Sequence, residues 1–478
     1  MKKIIFTAFL VFPFILFSQN CDCESNFNWV KKTFEENDAG FAYAISNKGE
    51  QAYQSHNEDF IQRIKEAENS KECLQSIKEW LTFFRLGHIS LRMLGQNSEA
   101  KIDDKKIIQQ YKDTESVAVD IEKFTQYLNS KKEVDYEGIW VSKPYRIGVK
   151  KIKDEYVGFI IEADGVYWTK GQVKFKIKPD NSCVYYMQDH TKKDFPTTTL
   201  LGNNYLQAGF VTLQRAAPRY DSKPEIDRYF EVISTNKPYF DIIDDHTGYL
   251  RIPTFSGSKK TIIDSVIAAN KETILNSPNL IIDIRDNGGG SDRSFKELLP
   301  LLYTNPIRTV GVELLSTPLN NQRMLDFINN PIYDLDNEEK EWARAAFDKL
   351  ETQLGSFVDL DSNVVNITTY DTIYPFPKKI GIIINENNGS TAEQFLLAAK
   401  QSKKVKLFGR TTAGVLDISN MYFVNSPCGE LELGYCLSRS MRIPEMTIDD
   451  KGIQPDYYMD KTIPVYQWID FVAESLKE

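Results

Sequence analysis

Two apolar runs constrain this chain more than any other feature. Leu280-Ile281-Ile282-Asp283-Ile284-Arg285 and Ile380-Gly381-Ile382-Ile383-Ile384-Asn385 are short, Ile-rich and almost continuously apolar. A strand with one face in water alternates polar and apolar residues, so these runs read as strands covered on both faces. Around them the pattern alternates. Gly248 to Pro253 reads as a strand, Thr261 to Leu275 as a helix, Thr391 to Lys400 as a helix and Val405 to Gly409 as a strand. That alternation predicts an α/β layer over residues 238–478, with a charged helical insertion at about 316–370 around Glu338 to Leu354.

The remainder is organised differently. At ~150 residues per domain, 478 residues predict about three domains. Residues 1–19 read as a signal peptide: Lys2 and Lys3 precede the apolar Ile4 to Phe17, then Ser18 and Gln19 follow. The apolar run is short for a membrane span and contains Pro13. Cleavage would leave an exported protein, periplasmic or extracellular, with no integral membrane segment. The six cysteines would then sit in an oxidising compartment and could pair. Cys428 and Cys436 flank a plausible hairpin and are the first expected pair; one of Cys21 or Cys23 with Cys73 is the second.

Residues 20–95 read as a helical region, because Phe60, Ile64, Ala67, Leu74, Ile77 and Leu81 recur at helical spacings. Residues 96–237 read as a β-rich module, a small barrel or sandwich, from runs such as Tyr136 to Trp140 and Tyr156 to Glu162. Its Trp140 and Trp168 read as core. The chain has 58 basic against 67 acidic residues and no long Lys/Arg cluster, which argues against a nucleic-acid partner. No CxxC or His spacing supports a metal, and no phosphate-binding glycine motif supports a nucleotide cofactor. The expectation is no cofactor.

Chemistry concentrates at the ends of the two apolar strands. The first runs into Asp286-Asn287-Gly288-Gly289-Gly290-Ser291, whose glycines can bring backbone N–H groups close to a ligand or a developing oxyanion. The second runs into Asn387-Asn388-Gly389-Ser390-Thr391-Ala392-Glu393, which places Ser390 on a sharp turn opening a helix. Each has a plain reading as well: a Gly-rich turn, and a Ser390/Glu393 capping box.

Taken together and in order, these pieces make the block from Gly248 to Asp456 resemble the catalytic core of the C-terminal-processing (tail-specific) and tricorn-type serine peptidases. Gly248 to Phe255, Leu280 to Gly290, Gly389 to Glu393, Gly409 to Gly414 and Lys451 to Asp456 carry the resemblance. It implies an α/β core of crotonase/ClpP-like ββα type and a polypeptide substrate. It also implies Ser390 as nucleophile, with an oxyanion hole from the Gly288-Gly289 turn and the Thr391 amide. The tail-specific branch places a lysine just after its Thr-x-Gly motif, where this chain has Val415. The tricorn-like branch takes a histidine from well before the core, and His88 in Leu86-Gly87-His88-Ile89-Ser90 resembles its motif.

Of the four histidines, His56, His190 and His246 read as solvated turn residues. An imidazole titrating near 6.5 suits a general base at neutral pH. The same branch implies an acid orienting the histidine from just before Gly452. Asp449 fits, with Glu445 and Asp450 as alternatives, although the branch usually has Glu. It also implies a hydroxyl, either missing here or supplied by Ser90. The expected function is therefore an exported serine endopeptidase acting through an acyl-enzyme with Ser390, His88 and Asp449. Val415, Gly87 and the β-rich module keep open a non-catalytic peptide- or glycan-binding protein on a decayed core, and a third option is a Ser–Lys enzyme whose lysine has no evident place in the sequence.

Overall fold

The structure, a computed structural model, describes residues 22–94, 104–333 and 335–478. The expected leader, Cys21 and the expected boundary near residue 95 lie outside the described residues. Among the described residues no helix is long and apolar enough to cross a membrane.

The two apolar runs lie side by side at the centre of a six-stranded sheet. Its order is Tyr239–Asp244, Thr247–Arg251, Asn279–Asp283, Lys379–Ile384, Val405–Gly409 and Tyr457–Tyr458. All neighbours are parallel except the first pair. Alternate side chains serve opposite faces. Leu280, Ile282, Ile382 and Leu407 pack under the helices Lys260–Asn276 and Thr391–Ala399. Ile281, Ile383 and Phe408 pack under the last helix, Trp468–Lys477. Both faces are dry, which is why the strands carry no polar alternation. Each fully buried Leu or Ile contributes roughly 1.5–3 kcal/mol relative to exposure.

Register fixes where chemistry can occur. Asp283 pairs with Ile383, so the parallel strands Asn279–Asp283 and Lys379–Ile384 end at the same level. Their continuations, the Gly288-Gly289-Gly290 turn and the Ser390 turn, therefore leave the same sheet edge as neighbours. Ile384 pairs with Gly409, which delivers residues 410–415 to that edge as well.

The N-terminal region forms the helices Cys23–Asn37, Phe41–Lys48, Glu50–Glu66 and Ser70–Leu81, then the strand Ser90–Met93. That strand pairs antiparallel with Leu431–Ser440, which also forms a hairpin with Ile418–Asn425. Phe27, Phe34, Trp80 and Phe84 share one core with Leu431, Leu433, Tyr435 and Leu437. The helical region is thus packed onto the far end of the chain and has no separate core.

Between these parts, nine antiparallel strands from Gly138–Ser142 to Val211–Ala217 form one sheet. Its edge strands, Lys192–Phe195 and Thr198–Leu201, are joined only by Pro196 and Thr197, so the sheet rolls up until its edges approach. Trp140 and Trp168 are fully buried inside it. The insertion is helical over Pro318–Asn329 and Asn337–Glu351 and closes with the short strands Phe357–Asp359 and Val365–Thr368.

Three expectations are corrected. The disulfide joins Cys23 to Cys73, whereas Cys436 is a buried thiol on the strand Leu431–Ser440, and the Cys428 sulfur lies 3.5 Å from Asn26 Oδ1. His190 is stacked between Tyr111 and Trp168, with ring centroids 3.9 Å apart on both sides. His56 lies inside the helix Glu50–Glu66, its Nε2 3.0 Å from Trp80 O. Ring stacking and a backbone partner won both histidines away from solvent.

Cys23 and Cys73 close a loop of sequence separation 50 between the first and fourth helices. Replacing both by Ser is expected to cost about 2–4 kcal/mol in a denaturant titration. Identical curves with and without reductant would show that the bridge does not constrain the chain.

Candidate active site

The strand Lys379–Ile384 ends, and six residues later Ser390 opens the helix Thr391–Ala399. Ser390 has φ 56° and ψ −127°, a conformation that L-residues adopt only when their surroundings impose it. This is the geometry of a serine thrust out of a strand-to-helix elbow. Glu393, fully buried, does much of the imposing. Its Oε2 accepts from the Ser390 N–H at 3.2 Å and the Val415 N–H at 2.9 Å. Its Oε1 accepts from the Gly414 N–H at 2.7 Å and Thr412 Oγ1 at 2.5 Å. Burial pushes the Glu393 carboxyl above its usual range, and these four donors pull it back. From sequence Glu393 reads only as a capping residue; the structure makes it the tie between the helix that Ser390 opens and the loop carrying Val415.

The glycine turn approaches from the neighbouring strand. Gly289 has φ +102°, and a Cβ there would lie 2.7 Å from Gly389 O, 2.8 Å from Ser390 Cβ and 2.8 Å from Thr391 N. Only glycine permits that contact. The Gly289 N–H, however, donates to Asn287 Oδ1 at 3.0 Å, so its part is close approach and not donation. Among the described residues the Gly288 and Thr391 N–H groups have no acceptor. Thr391 is the first residue of its helix, where the N–H has no partner within the helix. Asn388 locks the two turns together by donating to Ile284 O and, at 3.2 Å, to Asn287 O.

His88 enters through Val415. A Cβ on Gly87 would lie 2.3 Å from Val415 Cγ1, and one on Gly389 would lie 2.6 Å from Val415 Cγ2. The two glycines that precede His88 and Ser390 thus close on one isopropyl group. His88 Nδ1 lies 2.7 Å from Ile418 O. A carbonyl only accepts, so Nδ1 carries the proton and Nε2 keeps its lone pair. Burial, with some help from Arg85, holds the imidazole below its usual value against the opposing pull of the Ile418 bond and Asp38.

Asp449 accepts from the Leu416 and Asp417 N–H groups, both at 2.6 Å, and from the Ile418 N–H at 3.2 Å. It anchors the segment whose carbonyl holds His88, and the imidazole itself rests on Ile418 O. Burial, aided by the neighbouring Asp417, pushes Asp449 up to about 6. Glu445 and Asp450 are exposed. Ser90 turns its hydroxyl toward Gly434, where an added Cβ would meet it at 2.4 Å. A cavity of about 160 Å³ next to His88 is walled by Tyr43, Ala44, Phe84, Val415 and Asp449, so the N-terminal helices help to shape the site.

Ser390 thus stands on an elbow beside two amides without acceptors, and the Nδ1 of His88 is committed to a backbone carbonyl. Residues 246–459 match the sequence model of peptidase family S41. Mature CPAF complexed with lactacystin is similar in fold, with 13% identity and a TM-score of 0.52 over 95% of this chain and 97% of that one. Mature CPAF alone gives 13% identity and 0.52 over 95% and 96%. A putative peptidase from Parabacteroides merdae gives 13% and 0.45 over 96% and 98%. Among curated proteins there is no significant match.

Gly289→Ala tests the close approach. Its methyl group would strike backbone atoms that cannot swing away, so peptidase activity should fall about 10²–10³-fold, the scale of losing an oxyanion donor. Activity within twofold of the parent protein would show that the turn yields without cost.

Proposed function

We propose that the chain is an exported serine endopeptidase that cleaves polypeptides through an acyl-enzyme. Ser390 attacks the scissile carbonyl, and His88 Nε2 takes its proton and returns it to the leaving amine. The Gly288 and Thr391 N–H groups receive the developing oxyanion. Asp449 orients His88 through the 416–418 backbone. The observation that supports this reading best is the convergence of Gly87 and Gly389 on Val415, with the Nδ1 of His88 committed to Ile418 O. Val415 has no basic nitrogen, so the Ser–Lys alternative has no candidate at its expected position.

Ser390→Ala and His88→Ala should each lower kcat on an unstructured protein substrate by at least ~10³-fold, and Ser390→Ala should abolish fluorophosphonate labelling. Undiminished cleavage by either variant would sink the assignment of that residue.

The sign of the pH effect follows from burial. A base whose imidazole sits below its usual value is already neutral at pH 7, and activity is lost only as pH falls through the lowered value. The acid limb of kcat/KM should therefore turn below the ordinary imidazole value of about 6.5. A limb turning above 7 would contradict a buried, desolvated His88.

A further inference from the structure

We infer that the buried pair Arg85–Asp38 is a positioning device for His88, so that the N-terminal helices form part of the catalytic apparatus. The inference rests on the reading of His88 as general base.

His88 has φ 54°, a left-handed backbone that favours glycine and persists in another residue only under constraint. Arg85 supplies that constraint. Its Nε donates to Gly87 O at 3.1 Å and its Nη2 to His88 O at 3.0 Å, gripping both carbonyls around the strained residue. The same guanidinium forms a two-pronged pair with Asp38, Nη1 to Oδ1 at 2.7 Å and Nη2 to Oδ2 at 2.6 Å. The Asp38 side chain has no solvent exposure. A buried charge pair is costly unless every arm is used, and here every arm is. Asp38 also accepts from the Gly40 N–H at 2.9 Å and from the Cys436 N–H at 3.0 Å on the strand Leu431–Ser440. The Cys436 sulfur reaches His88 O at 3.4 Å.

Three distant parts of the chain meet in this pair. Asp38 caps the C-terminal end of the helix Cys23–Asn37, Arg85 follows the helix Ser70–Leu81, and Cys436 belongs to the hairpin that also presents Ile418 O. Ile418 fixes the ring of His88; Arg85 fixes its backbone. Lysine in place of Arg85 would keep the charge, but one ammonium cannot reproduce the planar fork that reaches two carbonyls and a carboxylate together.

The test is a double-mutant cycle on the full chain. Arg85→Lys and Asp38→Asn are each made in the parent protein and in His88→Ala, and kcat and KM are measured on a peptide ester with detectable residual turnover. Displacing a catalytic group by about 1 Å can cost ~10²-fold, so each variant should lower kcat roughly 10- to 100-fold in the parent, with KM changed less than about threefold. In the His88→Ala background the same changes should have no further effect. A general loosening of the fold would lower the rate equally in both backgrounds, and that result overturns the inference. Unchanged kcat in the parent overturns it too. If Arg85→Lys does not fold, Asp38→Asn, whose one carbonyl oxygen can still accept from either the Gly40 or the Cys436 amide, carries the cycle alone. Full activity in His88→Ala would instead overturn the base assignment and the positioning role with it, a result distinct from either of the others.

Discussion

The site depends on one carboxylate holding several strained pieces of backbone together. Desolvating an ion the size of the Glu393 carboxylate costs several kcal/mol. Four donors answer that cost, and hydrogen bonds to charged groups contribute about 1.5–3 kcal/mol each. What results is geometry. The Ser390 amide, the Thr412 hydroxyl and the amides of Gly414 and Val415 converge on the two oxygens of one side chain. The Ser390 elbow and the loop bearing Val415 are therefore tied to each other through one side chain. Thr412 extends the tie, because its Oγ1 also accepts from the Ile453 N–H at 2.7 Å.

From Val415 the dependence passes to the N-terminal region. A serine elbow and a glycine turn arise from neighbouring parallel strands and need only the local register to meet. His88 has no such shortcut. It reaches the site because the helices before it bury Phe27, Phe34, Trp80 and Phe84 against the hairpin around Leu433 and Tyr435. The insertion joins the same structure. Asn320 donates to Asn37 O at 2.9 Å and accepts from the Tyr435 hydroxyl at 3.0 Å. Thr317 Oγ1 donates to Asn37 Oδ1 at 2.6 Å. His88 is thus held in place by contacts of very long sequence separation.

That difference explains what could be read from the sequence. The strands Asn279–Asp283 and Lys379–Ile384 and the helix after Ser390 were legible because periodicity and turn chemistry are local signals. Ser390, Thr391 and the glycine turn followed from where those strands end. The Cys23–Cys73 bridge was among the expected pairs, but the buried thiol of Cys436 and the environments of His56 and His190 were not legible, since each is decided by packing between segments with no sequence relation. Glu393 was visible as a residue, three places after Ser390, but its spacing advertised only a cap. The carbonyl of Ile418 was invisible altogether: a backbone oxygen belongs to every residue and leaves no mark in a sequence.

Asp449 shows how such a hidden group resolves an apparent misfit. An aspartate is one methylene shorter than the glutamate usual in the tricorn-like branch, and by direct reach it looks inadequate. In this chain the carboxylate does not need to reach the ring. It collects the amides of Leu416, Asp417 and Ile418, and the carbonyl of Ile418 spans the remaining gap to His88 Nδ1. Asp417 repeats the device one layer further out, accepting from the Ile448 and Asp449 N–H groups at 2.6 and 2.9 Å while paired with Arg442 at 2.8 Å. Three carboxylates, fully buried at 393 and 417 and half-buried at 449, are therefore used chiefly to organise backbone amides. The peptide plane at Ile418 thereby links the Asp449 carboxylate to the imidazole of His88.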